Sequence, residues 1–457
     1  MNILTVDFGS TYTKITAINT QEATILGTAS AFTTIGTDIV HGFRSALHVL
    51  ERKIGPFDYQ KMLCCSSAGG GLKMVAIGLV PELTAKAARL AAASAGAKVM
   101  KTYAFEISPE EQKEIEAIDP DIVLLCGGTD GGNKEVITAN AVRLCQINRA
   151  FTVIVAGNKS AAHDVKRIFE EAGKDYVITD NVMPTFNRLH IEPAREAIRQ
   201  VFIRKIIDAK GLTAMQEMAA GDIIPTPLAV MAACELLSRG TAKTQGFGDF
   251  LAIDLGGATT DVYSMTHGKP AMSNVLEKGL PEPFAKRTVE GDLGMRYSLA
   301  ALAEQTDMDR MAAETGIDKN RIATWVNHCT QTPDTLAHSA EEQLIDESLA
   351  RIAVDIAVER HSGYLESSFT PLGEIFTLTG KDLSEVAYIV GIGGAIINSC
   401  HPPNILRGAV ADGRKPFVRK PREPKFLFDS KYIFAAMGLL AKTEPELALS
   451  IMKREIK

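Results

Sequence analysis

Two stretches of the chain overlay without a gap: NILTVDFGSTYTKIT at residues 2–16 and DFLAIDLGGATTDVY at residues 249–263. Asp7 meets Asp254, Gly9 meets Gly256, Ser10 meets Gly257, Thr13 meets Thr260 and Ile15 meets Val262, while Lys14 falls opposite Asp261. Each copy reads as an apolar strand, a short Gly/Ser/Thr turn and a second strand rich in β-branched residues, the pattern of a β-hairpin. One turn of this Asp-x-Gly type is common and means little. Two in register, each able to open half of the chain, predict two large related lobes rather than an array of short repeats.

The turns suit one kind of ligand. A glycine-rich hairpin turn gathers several backbone N–H groups into a nest for phosphate oxygens. The hydroxyls of Ser10, Thr11, Thr13, Thr259 and Thr260 add donors, and Lys14 can neutralise phosphate charge. Asp7 and Asp254 each end a first strand, where a carboxylate can hold magnesium, a cation that prefers hard oxygen ligands and keeps several waters. A third glycine motif, Tyr388-Ile-Val-Gly-Ile-Gly-Gly-Ala-Ile396, reads as a strand, a turn through Gly391, Gly393 and Gly394, and a helix starting near Ala395. With no Cβ in the way, a ligand can approach that backbone closely.

Other chemistries are excluded. Forty-nine basic and 55 acidic side chains leave a net charge of −6, a poor balance for nucleic-acid or membrane binding along the whole chain. The seven cysteines are scattered and form no C-x-x-C pair, so neither a disulfide framework nor a zinc ribbon is expected. No apolar run reaches the ~18 residues of a membrane span. The N-terminus lacks the basic region of a signal peptide, and the chain reads as cytoplasmic. It contains no H-E-x-x-H and no G-x-x-x-x-G-K-[ST], so a zinc hydrolase and a P-loop enzyme are not expected.

The three glycine elements resemble the two phosphate motifs and the adenosine motif of the actin, Hsp70 and sugar-kinase superfamily of ATPases, in that superfamily's order. The tail Ile433-Phe-Ala-Ala-Met-Gly-Leu-Leu440 is similar to the small-residue helix that connects its two lobes. Three further segments narrow the match: Cys65-Ser-Ser-Ala-Gly-Gly-Gly-Leu-Lys-Met74, Leu125-Cys-Gly-Gly-Thr-Asp-Gly-Gly132 and Arg287-Thr-Val-Glu-Gly-Asp-Leu-Gly-Met-Arg296. They resemble the glutamate mutase accessory family of the MutL/GlmL type, over essentially the whole chain. The implied fold is α/β, with two RNase H-like lobes of the actin/Hsp70/sugar-kinase type and an inserted α/β region. The expected divisions are a first lobe opening at 1–60, the insertion at 61–215 and a connecting helical segment at 216–248. A second lobe at 249–428 and a connecting helix at 429–457 that returns to the first lobe complete the chain.

The resemblance also carries roles onto matching positions. Asp254 would orient or deprotonate the attacking water, with Asp7 as the magnesium-side carboxylate and Asp254 contributing to the metal through water. Gly9, Ser10, Thr11, Thr13, Gly256, Gly257, Thr259 and Thr260 would contact phosphates, Lys14 would lie near the terminal phosphate, and Gly391, Gly393 and Gly394 would lie under the nucleotide. ATP and magnesium are the implied cofactors. The implied activity is ATP hydrolysis that maintains or reactivates an adenosylcobalamin-dependent carbon-skeleton mutase, whose subunits are the expected partners. A small-molecule kinase and a nucleotide-gated scaffold with negligible hydrolysis stand as alternatives, and a homodimer is left open.

Elsewhere the chain alternates strands and helices from 60 to 215, arguing for a parallel sheet with Gly127–Gly132 at its carboxyl edge. That turn is either a second ligand or partner site or a plain glycine turn capped by Asp130. Residues 290–370 read as mostly helical, including 292–306. Glu290 and Asp292 either reach ribose or lobe-closing contacts or cap a helix start. The basic stretch 413–425 reads as an exposed loop, with a docking surface for an acidic partner as the alternative.

Overall fold

A computed structural model describes residues 1–9, 12–34, 38–67, 73–209, 212–272, 274–371 and 373–457. The chain divides into two units. Unit 1 holds Met1–Ala233, Gly279–Pro281 and Ile433–Ile451; unit 2 holds Cys234–Lys278, Glu282–Tyr432 and Met452–Lys457.

Unit 1 begins with β1 (Asn2–Phe8), β2 (Tyr12–Asn19), β3 (Thr24–Phe32) and β4 (Lys61–Ser66). An insertion follows, with β5 (Lys73–Gly78), β6 (Lys98–Ala104), β7 (Ile122–Leu125), β8 (Thr152–Val155) and β9 (Tyr176–Ile178), before β10 (Ile224–Pro225) rejoins the first sheet. That sheet has the order β10-β4-β1-β2-β3, antiparallel across β1–β2–β3 and parallel across β1–β4–β10. β4 and β10, expected within the insertion and the connecting segment, thus belong to the first sheet, because each pairs in parallel with the strand beside it. Between β3 and β4, the helix Ile39–Ile54 turns Ile39, Phe43, Ala46 and Leu50 onto the sheet at helical spacing. Asp38 starts it by accepting the Val40 N–H.

The inserted sheet is parallel throughout, in the order β6-β5-β7-β8-β9. Period-two alternation sends its side chains into two different cores. Val75, Ile77, Val123, Leu125, Val153 and Val155 face the inserted helices, while Met74, Ala76, Ile122, Leu124 and Ile154 join the core under the first sheet.

Unit 2 contains β11 (Phe250–Leu255), β12 (Thr260–Met265), β13 (Val275–Lys278), β14 (Ala285–Glu290), β15 (Tyr364–Thr370), β16 (Gly373–Thr379), β17 (Tyr388–Ile392) and β18 (Lys425–Phe428). Its main sheet runs β14-β12-β11-β17-β18, again an antiparallel three-strand meander followed by two parallel strands. The two main sheets therefore share one strand order, the RNase H-like one, with β1 and β11 at equivalent central places. This is the duplicated arrangement that the sequence resemblance implies. A small sheet β13-β16-β15 accompanies unit 2, and the 290–370 stretch is mostly helical as expected, with β15 at its end. Its long helix is Ala340–His361, which a Ser339/Glu342 capping box starts.

The last residue of that helix braces the main sheet. The His361 ring is fully buried; Nδ1 pairs with Thr288 Oγ1 and Nε2 with Ser264 Oγ, both at 2.8 Å, joining the helix to β14 and β12. Lys381 Nζ donates to the same Ser264 hydroxyl at 3.1 Å, and Lys286 Nζ donates to the His361 carbonyl at 3.0 Å and pairs with Glu282. Burial, reinforced by Lys286 and Lys381, holds the His361 pKa well below its ordinary value. The unfolded chain therefore takes up a proton that the folded one resists, so this contribution is complete above the unfolded pKa and erodes below it. Lys381, lowered by burial and by Lys286, works in the same direction. The thermal midpoint of unit 2 is expected to fall as pH drops below about 6.5, with His361 contributing at most about 1.4 kcal/mol per pH unit. His361→Gln should flatten that slope in melts across the pH range; an unchanged slope assigns the effect elsewhere.

Candidate functional site

In unit 1, β1 and β2 pair in register from Asn2↔Asn19 to Phe8↔Thr13, which sets Lys14 across from Asp7. The Gly9 N–H donates to the Tyr12 carbonyl at 3.1 Å and closes the turn. A Cβ on Gly9 would come within 2.5 Å of that same oxygen, so only glycine permits the closure. Ser10 and Thr11 lie outside the described residues. Thr13 is fully buried, its hydroxyl 3.1 Å from that of Thr33, which in turn donates to the Gly9 carbonyl. Its side chain therefore braces the turn from beneath and is not exposed to a ligand. Asp7 is half-buried, and its Oδ1 accepts the Thr226 hydroxyl at 2.6 Å and the Cys65 thiol at 3.5 Å.

Unit 2 repeats the construction. β11 and β12 pair from Phe250↔Met265 to Leu255↔Thr260, and the Gly256 N–H donates to the Thr259 carbonyl at 3.0 Å, the same closing bond at the same place. Here Asp261 faces Asp254, and the buried Arg287 guanidinium balances it at 2.6 Å. Thr259 Oγ1 donates to Asp261 Oδ2 at 3.1 Å. Thr260 is fully buried and donates to the Leu293 carbonyl, so its hydroxyl, like that of Thr13, serves the scaffold.

The segment after β14 clamps this turn. The Met295 N–H donates to Gly256 O at 3.1 Å, the Arg296 and Tyr297 N–H groups to Gly257 O at 2.8 Å, and the Ser298 hydroxyl to Ala258 O at 2.7 Å. Gly294 makes the approach possible, since a Cβ there would lie 2.6 Å from both the Gly257 and the Ala258 carbonyl oxygens. Arg296 anchors the clamp on Asp346, which also accepts the Trp325 indole N–H. The turn's carbonyls are thus all tied back. Among the described residues no protein acceptor meets the N–H groups of Gly257, Ala258 and Thr259. Carbonyls withdrawn and N–H groups left over make a nest suited to an anion.

The third glycine motif lies beside the second turn. Gly393 has φ +89, and a Cβ on it would fall 2.6 Å from Asp254 Oδ1 and 2.8 Å from the Leu255 N, so its bare backbone seats the Asp254 carboxylate. Gly394, half-buried, faces the Tyr432 hydroxyl. Gly391 has a packing role: it is buried within β17, and its missing Cβ makes room for Ile396, Leu406 and Phe428.

Several sequence motifs make contacts within their own unit. Glu290 and Asp292 both bind Arg360, at 2.6 and 3.0 Å, and residues 292–298 form the clamp rather than a helix. In the glycine turn after β7, the Asn158 side chain accepts the Gly131 N–H and donates to the Gly132 and Asn133 carbonyls. Asn181 donates to Gly128 O and Asp130. Asn158 and Asn181 thereby tie the turn's carbonyls and the Gly131 N–H to neighbouring segments of the same unit. In the 413–425 stretch Arg414, Lys415, Arg419, Lys420 and Arg422 pair with Asp412, Glu359, Asp382, Asp355 and Glu385 of the same unit. Five cations of this stretch thus have acidic partners within the same unit.

Asp7 in unit 1 and Asp254 in unit 2 each offer a single carboxylate beside a phosphate-type turn, a donor that suits magnesium in its nucleotide-bound form. That ion uses one or two carboxylates together with phosphate and water rather than an all-protein cage. Among the described residues no group of three or more His, Cys, Asp or Glu could hold a metal by itself. Asp7 and Asp254 instead end the central strands beside turns whose geometry suits phosphate. Among the described residues no helix is long and apolar enough to cross a membrane.

A profile of the MutL protein family matches residues 3–456. Protein MutL of Clostridium tetanomorphum is 45% identical over 457 residues, covering 99% of this chain and 98% of that one. Among solved structures, nucleotide-free acetone carboxylase aligns at 13% identity and a TM-score of 0.44, covering 96% of this chain and 70% of that one. The activator of 2-hydroxyisocaproyl-CoA dehydratase from Clostridium difficile with bound ADPNP aligns at 9% and 0.32, covering 100% and 98%. Glycerol dehydratase reactivase aligns at 10% and 0.32, covering 97% and 99%.

Proposed function

The chain belongs to the MutL protein family, the glutamate mutase accessory family, and from that premise we propose that it is a magnesium-dependent ATPase that maintains or reactivates an adenosylcobalamin-dependent carbon-skeleton mutase. The observation that carries the nucleotide half of this reading is the duplicated turn. Two Asp-x-Gly hairpins close with the same N–H to carbonyl bond at the centre of two sheets of the same strand order. The mutase half rests on family membership.

When bound, Mg·ATP supplies the reactive phosphoryl group and a divalent charge. The chain's own residues then position and stabilise. The backbone N–H groups of Gly257, Ala258 and Thr259 hold phosphate oxygens. Asp7 offers a carboxylate oxygen on the magnesium side, with Lys14 across the strand as a balancing cation. Asp254, seated against Gly393, orients the attacking water and accepts its proton. Hydrolysis of this kind draws its rate from alignment and electrostatics rather than covalent chemistry. The Thr13 and Thr260 side chains and Gly391 act as framework.

Phosphate release from ATP by the purified chain, measured alone and with an inactivated cobalamin-dependent mutase, tests the proposal. Turnover that depends on magnesium and rises with the inactivated mutase is expected. A chain that binds no ATP ends the nucleotide reading. One that hydrolyses ATP without any response to the mutase ends the partner reading.

A further inference from the structure

Thr226 lies 219 residues from Asp7 in sequence, yet its hydroxyl makes the 2.6 Å bond to Asp7 Oδ1. β10 explains the meeting. Ile224 pairs with Cys65 and Pro225 with Ser66, so the chain is laid along β4 on the edge of the first sheet. Proline is tolerated on such an edge. The next residue, Thr226, opens the helix Thr226–Arg239 beside the end of β1. Cys65 is fully buried, and its thiol donates to the same oxygen at 3.5 Å. Both contacts fall on Oδ1. Among the described residues Oδ2 accepts no hydrogen bond.

We propose that Thr226 is a positioning residue that fixes the Asp7 carboxylate through Oδ1 and so reserves Oδ2 for the divalent ion. This rests on the reading of Asp7 as the magnesium-side carboxylate. A carboxylate free to rotate must be ordered when the ion arrives; one already held is not, and the difference shows as ion affinity. The hydroxyl also withdraws one of the two oxygens from the ion, which favours single-oxygen ligation with water in the other positions, as magnesium prefers.

The test uses Mn2+ as a spectroscopic substitute for magnesium, titrated by electron paramagnetic resonance into the full chain saturated with ADP, where no turnover occurs. Thr226→Val keeps the shape of the side chain and removes the donor. It should weaken Mn2+ binding about tenfold, the size expected for losing a hydrogen bond to a charged group. Thr226→Ser should restore it to within about twofold. ADP affinity without a divalent ion should stay at the wild-type value, which a general packing defect would move. Asp7→Asn separates the two levels of the argument. If Asp7→Asn loses Mn2+ and Thr226→Val does not, Thr226 has no positioning role and the Asp7 reading survives. If Asp7→Asn binds Mn2+ as the wild type does, the Asp7 reading fails and the role of Thr226 with it. Should Thr226→Val not fold, Thr226→Ala is judged by the same titration.

Discussion

Gly438→Ala should lower the melting midpoint of unit 1 by roughly 6 °C or more, corresponding to about 3 kcal/mol for a unit of this size. The helix Phe434–Leu440 passes the helix Thr226–Arg239 with its backbone against the Ala229 peptide. A Cβ built on Gly438 would overlap the Ala229 carbonyl oxygen and come within 3.0 Å of its Cα. The obstacle is backbone, so no rotamer change relieves it, and one helix must move. Ile433, Phe434, Met437 and Leu440 are all buried around the crossing, which resists that movement. Helix propensity pulls the other way, since alanine is better than glycine by about 1 kcal/mol in a helix interior. The steric overlap outweighs that gain. Gly413→Ala, where nothing lies within 4 Å of the added carbon, is the control. A Gly438→Ala protein that melts with the wild type would mean that the helices are not so close.

Asp254→Asn should cut ATP turnover by about a thousandfold, in the range seen when a general base or its positioning is lost, while leaving ATP affinity within a few-fold. Asparagine preserves the size of the side chain, so the seat on Gly393, whose Cβ would come 2.6 Å from Oδ1, is not disturbed. What disappears is the negative charge and the ability to accept a proton. Single-turnover phosphate release and equilibrium nucleotide binding separate the two quantities. A loss of less than about fivefold in turnover removes Asp254 from the chemical step.

Both hairpins are legible in the sequence because everything that makes them is local. The strands alternate, glycine opens the turn, and the closing bond spans three residues. The roles of individual hydroxyls are not. Thr13 and Thr260 sit in hydroxyl-rich turns, but pairing with Phe8 and Leu255 turns them inward, and a one-residue shift of register would have turned them out. The 413–425 stretch shows the same limit for charge. Its composition fits a docking surface until Glu359, Asp355, Asp382 and Glu385 arrive from other parts of the chain. The clamp at residues 294–298 shows in the sequence only as a glycine-containing motif and reads as helix, because its hydrogen bonds go to another turn rather than along itself.

From residues alone follow the duplicated α/β architecture, the carboxylates of Asp7 and Asp254 at their strand ends, and the family. These depend on spacing and backbone freedom within a dozen positions. Tertiary structure alone decided that Thr226 holds Asp7, that Gly294 brings the clamp onto Gly257, and that Gly438 meets Ala229. Each of these joins groups that chain order keeps apart. A hydrogen bond or a steric overlap acts over about 3 Å, and only folding determines which distant groups come that close.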